Sequence, residues 1–174
     1  MPTEHETKVL DIDVREIEGK LKRLGAKKIS DTLMRRWVFD LEAGKKWIRL
    51  RDNGNNITLA YKHKKGPGIS ETEEIETVVD DFDKTFEILS KMNFREKYYR
   101  ESRRKIYVLK GMEFCIDEWP KIPPMLEIEA GSEKKVKEGL KMLGLEGKDA
   151  GNLCMIDVGK IYNIDFDKTK KLRF

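Results

Sequence analysis

The sequence predicts an α+β, mainly β fold: eight antiparallel strands curled into a barrel-like tunnel, with helices packed on the outside. Three observations carry that reading. Several short stretches alternate charged and apolar residues at the two-residue period of a strand, three others carry an apolar stripe at helical spacing, and the strand-like stretches place both signs of charge on the face opposite their apolar residues.

The first strand, expected near 3 to 10, contains Glu4-His5-Glu6-Thr7-Lys8, so Glu4, Glu6 and Lys8 share one face. Asp13 with Glu16 then makes a capping-box-like start, and Val14, Ile17, Leu21 and Leu24 run at helical spacing until Gly25. Strands follow near 33 to 40, 46 to 52 and 56 to 63. In the second of these Arg49 and Arg51 oppose Ile48 and Leu50, with Trp47 on the charged side; in the third, Ile57, Leu59 and Tyr61 oppose a face that ends in Lys62. Asp52-Asn53-Gly54-Asn55 reads as the hairpin turn between them, and Gly66-Pro67-Gly68 as a longer loop.

A strand near 71 to 79 alternates Glu74 and Glu76 with Ile75 and Thr77. Phe82, Phe86, Leu89 and Met92 mark a second helix from about 81 to 94. The last strands are expected near 98 to 109, 112 to 118 and 125 to 130, with Lys110-Gly111 as a turn. They bring Arg104, then Asp117 beside Ile116, then Glu127 and Glu129 alternating with Leu126 and Ile128. Ser132 opens a third helix bearing Val136, Leu140 and Leu143 before Gly144, and a short fourth is expected around 153 to 162.

If the helices cover the apolar face, charges of both signs are left facing one another, and curling the sheet gathers them in a lumen. Burying roughly ten ionised groups would cost several kcal/mol each unless they were paired, hydrated or bound to a charged ligand. A wet tunnel whose basic residues hold an anion and whose acidic residues hold divalent cations meets that condition. A triphosphate with its metals satisfies both demands.

The chain reads as a single domain over 1–174 with no internal repeat. Charged residues make up 39%, yet 36 Lys+Arg against 32 Asp+Glu leave only +4, too mild to argue for nucleic acid as a partner. The absence of a long apolar run or a signal-like start points to a cytoplasmic protein with no membrane partner. Cys115 and Cys154 are isolated and read as structural thiols, His5 and His63 as solvated, and Lys168 to Arg173 as a solvated basic C-terminus. No phosphate-binding glycine loop is present, so phosphate binding falls to side chains.

In their order, Glu4-x-Glu6-x-Lys8, Arg49-x-Arg51, Lys62, the Glu74/Glu76 strand, Arg104, Asp117 and Glu127-x-Glu129 resemble the CYTH superfamily, the triphosphate tunnel metalloenzymes, over nearly the whole chain. The resemblance implies Mg²⁺ or Mn²⁺ dependence and chemistry on a small-molecule triphosphate: ATP, thiamine triphosphate or inorganic triphosphate. By position, Glu4, Glu6, Glu127 and Glu129 resemble metal-site carboxylates, and Lys8, Arg49, Arg51, Lys62 and Arg104 the triphosphate clamp. Glu74, Glu76 and Asp117 are then candidates for a second metal or for orienting the basic residues, and Arg103 is an alternative to Arg104. Glu4, Glu6, Lys8 and Lys62 form the catalytic set, and Trp47 either stacks on the substrate's ring or packs at the lumen mouth.

One stretch departs from the pattern. The family commonly shows Asp-x-Tyr before Phe/Tyr-Asp on the second strand, where this chain reads Arg36-Trp37-Val38-Phe39-Asp40. A Tyr-Lys route to water activation is therefore not carried over. Size and the Cys115-Ile116-Asp117-Glu118 strand resemble the class IV adenylate cyclase branch, which implies conversion of ATP to cyclic AMP and pyrophosphate. Triphosphate hydrolysis is the alternative, a non-catalytic polyphosphate-binding module a further one, and a homodimer is left open.

Overall fold

The computed structural model describes residues 5–43, 45–64 and 72–174, so Glu4 and the Gly66-Pro67-Gly68 loop lie outside the described residues. Among these residues, nine strands and four helices follow in the order β1 (His5–Val9), α1 (Val14–Arg23), β2 (Lys27–Glu42), β3 (Lys46–Asp52), β4 (Ile57–Lys64), β5 (Thr72–Val79), α2 (Phe82–Lys91), β6 (Arg95–Leu109), β7 (Met112–Trp119), β8 (Ile122–Ala130), α3 (Glu133–Leu143), α4 (Met155–Ile161) and β9 (Lys171–Leu172). The strand order is β1-β8-β7-β6-β2-β3-β4-β5, with β9 pairing parallel to β6. This is the expected antiparallel sheet, but the path is open at β1 and β5 among the described residues, and no closed barrel is seen. No helix is long and apolar enough to cross a membrane among those residues.

The chain divides into two compact units, Met1–Thr32 with Ser102–Phe166, and Leu33–Glu101 with Asp167–Phe174. In the first, the apolar faces of β1, β7 and β8 supply Val9, Phe114, Ile116, Leu126 and Ile128, which pack with Ile17 and Leu21 of α1 and Val136, Leu140 and Leu143 of α3. Helix starts are fixed by side chains: Asp13 Oδ1 accepts from the Glu16 N–H at 2.9 Å, and Ser132 Oγ from the Lys135 N–H at 3.4 Å. Gly144, at φ +66°, ends α3 in the left-handed conformation that glycine adopts at least cost. In the second unit, Trp37, Phe39 and Leu50 pack on Phe82 and Leu89 of α2, while the expected stripe's last residue, Met92, stays exposed.

Three strands run further than periodicity suggested. β2 begins at Lys27 because its first residues are strand by pairing, not burial; they are mostly exposed and show no apolar alternation to read. β8 begins at Ile122, and Pro123 and Pro124 lie where the pairing with β7 shifts register between Asp117 and Trp119, so their missing donors are tolerated. β6 begins at Arg95. In the C-terminal segment Lys168, Lys170, Lys171 and Arg173 are exposed as expected, but the backbone is held: Leu172 is buried, β9 pairs with β6, and Lys171 Nζ lies 5.3 Å from the centre of the Trp37 ring.

In the first unit, α4 packs on Ile122 and Met125 through Val158, and Gly159 marks its tightest approach. A Cβ there would meet the Phe166 ring and the Ile164 carbonyl oxygen at 2.8 Å, a backbone atom that cannot rotate away. Gly159→Val is expected to cost about 2 kcal/mol and lower the melting temperature by roughly 4–8 °C, measured by thermal denaturation.

Candidate functional site

In the first unit, strand register decides which charges meet. Glu6 lies opposite Glu129, which lies opposite Glu113, so three carboxylates form one cross-strand row on β1, β8 and β7. Like charges placed directly opposite destabilise a sheet unless something neutralises them. The next row sets Lys8 opposite Glu127, with a salt bridge of 2.7 Å, and Lys8 also lies 3.6 Å from Glu6. Oxygens of Glu6, Glu127 and Glu129 all lie within 4.8 Å of one another. That spacing and an all-oxygen donor set suit a hard divalent cation.

Behind this cluster, Arg104 grips Asp117 with both forks, Nε to Oδ1 at 2.7 Å and Nη2 to Oδ2 at 2.6 Å, and reaches Glu127 at 3.2 Å. Asp117 and Glu127 are 4% and 6% exposed. Burial works against the Arg104 charge, but the hydrogen bond and charge of Asp117 outweigh it and hold the guanidinium above its ordinary value. Its neighbour Arg103 turns instead to Asp31 at 2.7 Å. Cys115 is buried between Glu113 and Asp117 on the same strand face, and burial pushes its thiol up.

In the second unit, register again builds three rows across β2, β3, β4 and β5: Asp40-Trp47-Lys62-Glu74, Val38-Arg49-Ala60-Glu76 and Arg36-Arg51-Thr58-Val78. Ala60 is fully buried and small enough for Arg49 to reach across it, so that Arg49 Nη2 bonds Glu76 at 2.8 Å and Glu74 at 2.9 Å. Lys62 pairs with Glu74 at 3.0 Å, and Arg51 approaches Glu76 at 3.8 Å. The Arg49 hydrogen bond holds the Glu76 carboxyl below its ordinary value, and burial, with the like charge of Arg49, lowers Arg51. The buried Nε atoms of Arg49 and Arg51 have no hydrogen-bond partner among the described residues. Trp47 is half-buried and, by alternation, on the face of Arg49 and Arg51.

Of the expected residues, the structure therefore gathers Glu6, Lys8, Arg104, Asp117, Glu127 and Glu129 in one unit and Trp47, Arg49, Arg51, Lys62, Glu74 and Glu76 in the other, while Glu4 lies outside the described residues. Glu113, Arg36 and Arg100 went unread. Alternation along Met112–Trp119 and Lys27–Glu42 places Glu113 beside Cys115 and Asp117, and Arg36 beside Val38 and Asp40, so the signal for those two was present.

The CYTH domain family model matches residues 3–150. The chain belongs to the CYTH domain family. A curated relative from Methanocaldococcus jannaschii, named "Putative adenylate cyclase MJ0240", is 32% identical over 132 residues, covering 72% of this chain and 75% of its own. Among solved structures, the PH1012 protein of Pyrococcus horikoshii is 25% identical with a TM-score of 0.59, covering 87% of this chain and 96% of its own. A protein of Vibrio parahaemolyticus described as a putative adenylate cyclase has a TM-score of 0.63 over 90% of this chain and 97% of its own, at 13% identity, and so shares the CYTH fold.

Proposed function

We propose that this CYTH protein is a metal-dependent enzyme acting on a triphosphate, and that its reaction is the conversion of ATP to cyclic AMP and pyrophosphate. The observation that carries the reading is the Glu6, Glu127 and Glu129 cluster, since a non-catalytic anion-binding module has no need of three converging carboxylates. The name of the archaeal relative supports the choice of reaction.

In this reading, Glu6, Glu127 and Glu129 hold Mg²⁺ or Mn²⁺, and Lys8 limits the repulsion among them. When bound, the cation neutralises phosphate charge and lowers the pKa of the attacking hydroxyl. Asp117 fixes the Arg104 fork, and Glu74 and Glu76 fix Lys62 and Arg49, so the cationic groups are oriented before substrate arrives. Arg49 and Arg51 grip phosphate oxygens in pairs, and Lys62 acts as a point charge. Phosphoryl chemistry needs little more from protein than this positioning. The alternative, triphosphate hydrolysis, uses the same cation and clamp with water in place of the ribose hydroxyl; attack then falls on the terminal phosphorus, and ADP leaves in place of pyrophosphate.

Phosphorus NMR of the products from ATP and Mn²⁺ tests the reading. Pyrophosphate formed in step with cyclic AMP is expected. ADP with phosphate would overturn the cyclase assignment in favour of hydrolysis, and no turnover of ATP, thiamine triphosphate or inorganic triphosphate would overturn the enzymatic reading.

A further inference from the structure

The row Arg36-Arg51-Thr58-Val78 differs from its neighbours in one respect: it carries two cations and no carboxylate. In the adjacent rows, Arg49 is matched by Glu76 and Lys62 by Glu74. The Arg36 side chain makes no ion pair or hydrogen bond among the described residues, and its Nε is buried without a partner. Arg51 reaches Glu76 only at 3.8 Å, and that carboxylate already accepts from Arg49 at 2.8 Å. A third guanidinium lies near. Arg100 on β6 is 5% exposed, lies 4.5 Å over the Tyr98 ring and donates to the Tyr99 carbonyl at 3.0 Å.

The charge of Arg36 bears on both Arg51 and Arg100, lowering each; burial contributes more in both, and Asp167 offers Arg100 partial relief. Arg36 thus repels the guanidiniums of both Arg51 and Arg100 in a half-buried setting. Packing does not explain Arg36, because the core of this unit lies on the opposite face of β2, with Trp37 and Phe39. A buried like-charge cluster is stabilised by an anion that accepts from several forks at once, and a phosphoryl group with three oxygens does so.

We propose that Arg36, together with Arg51 and Arg100, holds the terminal phosphoryl group of the triphosphate and forms a subsite for the free end of the phosphate chain. The proposal rests on the functional reading above and adds to it a binding residue on β2 that no motif of the sequence marked.

Calorimetric titration with inorganic triphosphate and Mn²⁺ tests it, on the wild-type protein, Arg36→Gln, Arg36→Lys and Arg103→Gln. Arg36→Gln is expected to bind at least about tenfold more weakly, since it loses charge-assisted hydrogen bonds, and Arg36→Lys, which keeps the charge and loses the fork, to fall between. Arg103→Gln, whose guanidinium pairs with Asp31, should bind as the wild type does. Without ligand, Arg36→Gln should melt at or above the wild-type temperature because a repulsion is removed, while the stabilisation added by triphosphate shrinks.

Binding by Arg36→Gln within twofold of wild type would overturn the subsite while leaving the functional reading standing. A ligand-free Arg36→Gln that melts well below wild type would also overturn it, by assigning Arg36 a structural role. Failure of the wild-type protein itself to bind triphosphate would bring down the functional reading and the subsite with it.

Discussion

Glu6→Gln is expected to abolish metal-dependent turnover, with a loss of at least about 100-fold, and to leave the fold intact. The substitution keeps the volume of the side chain and removes one of three carboxylates whose oxygens lie within 4.8 Å of one another. If Glu6 is a direct oxygen ligand, as proposed, its removal should cost more than the 10- to 100-fold typical of a group one shell further out. Stability should hold, because Glu6 is half-buried and Lys8 keeps its shorter bridge to Glu127 at 2.7 Å. Relief of repulsion between Glu6 and its cross-strand partner Glu129 works in the same direction. The check is Mn²⁺ titration calorimetry beside steady-state turnover: lost metal binding with an unchanged melting temperature is the expected pair of results. Full activity in Glu6→Gln would remove Glu6 from the metal site.

Arg104→Ala should act chiefly on stability. It strands Asp117, more than nine-tenths buried, without its guanidinium partner, and leaves the equally buried Glu127 to Lys8 alone. Breaking a buried pair by removing one partner typically costs about 3–5 kcal/mol, and the low end applies here because Arg104 keeps 33% of its side chain in water. About 3 kcal/mol corresponds to a melting temperature lowered by roughly 6–12 °C for a chain of this size.

The deficit should depend on pH. Burial already pushes the Asp117 carboxyl above its ordinary value against the pull of Arg104, and loss of the guanidinium pushes it further. The folded variant then takes up a proton at a pH where the unfolded chain does not, so its stability recovers as pH falls toward the ordinary carboxylate range. Thermal melts of wild type and Arg104→Ala from neutral to mildly acidic pH would show the gap narrowing. A gap that stays constant would mean that the stranded Asp117 carboxylate is not its source.

Much of the candidate site was legible because strand alternation is local. Whatever a strand pairs with, residues two apart share a face, so Glu6 with Lys8, Arg49 with Arg51 and Glu127 with Glu129 could be grouped without knowing a single neighbour. Helix ends were legible for the same reason: the Asp13 and Ser132 caps act within three residues of themselves. Where local pattern fails, so does the reading. Lys27 to Thr32 are held by strand pairing, Leu172 by burial against β6, and neither leaves an alternating trace.

The sequence by itself determined the mainly β class, the faces on which the charges lie and the signs of those charges. Tertiary structure alone decided which faces stand side by side. Arg104 rather than Arg103 meets Asp117 because the two arginines point to opposite faces and register places Arg104 opposite that carboxylate. Register likewise sets Glu6 beside Glu129, more than a hundred residues away, and Arg36 beside Arg51. The physical reason is that the side-chain period is built into the backbone of each strand, whereas a shift of pairing by one residue, set by distant turns and packing, exchanges every cross-strand neighbour.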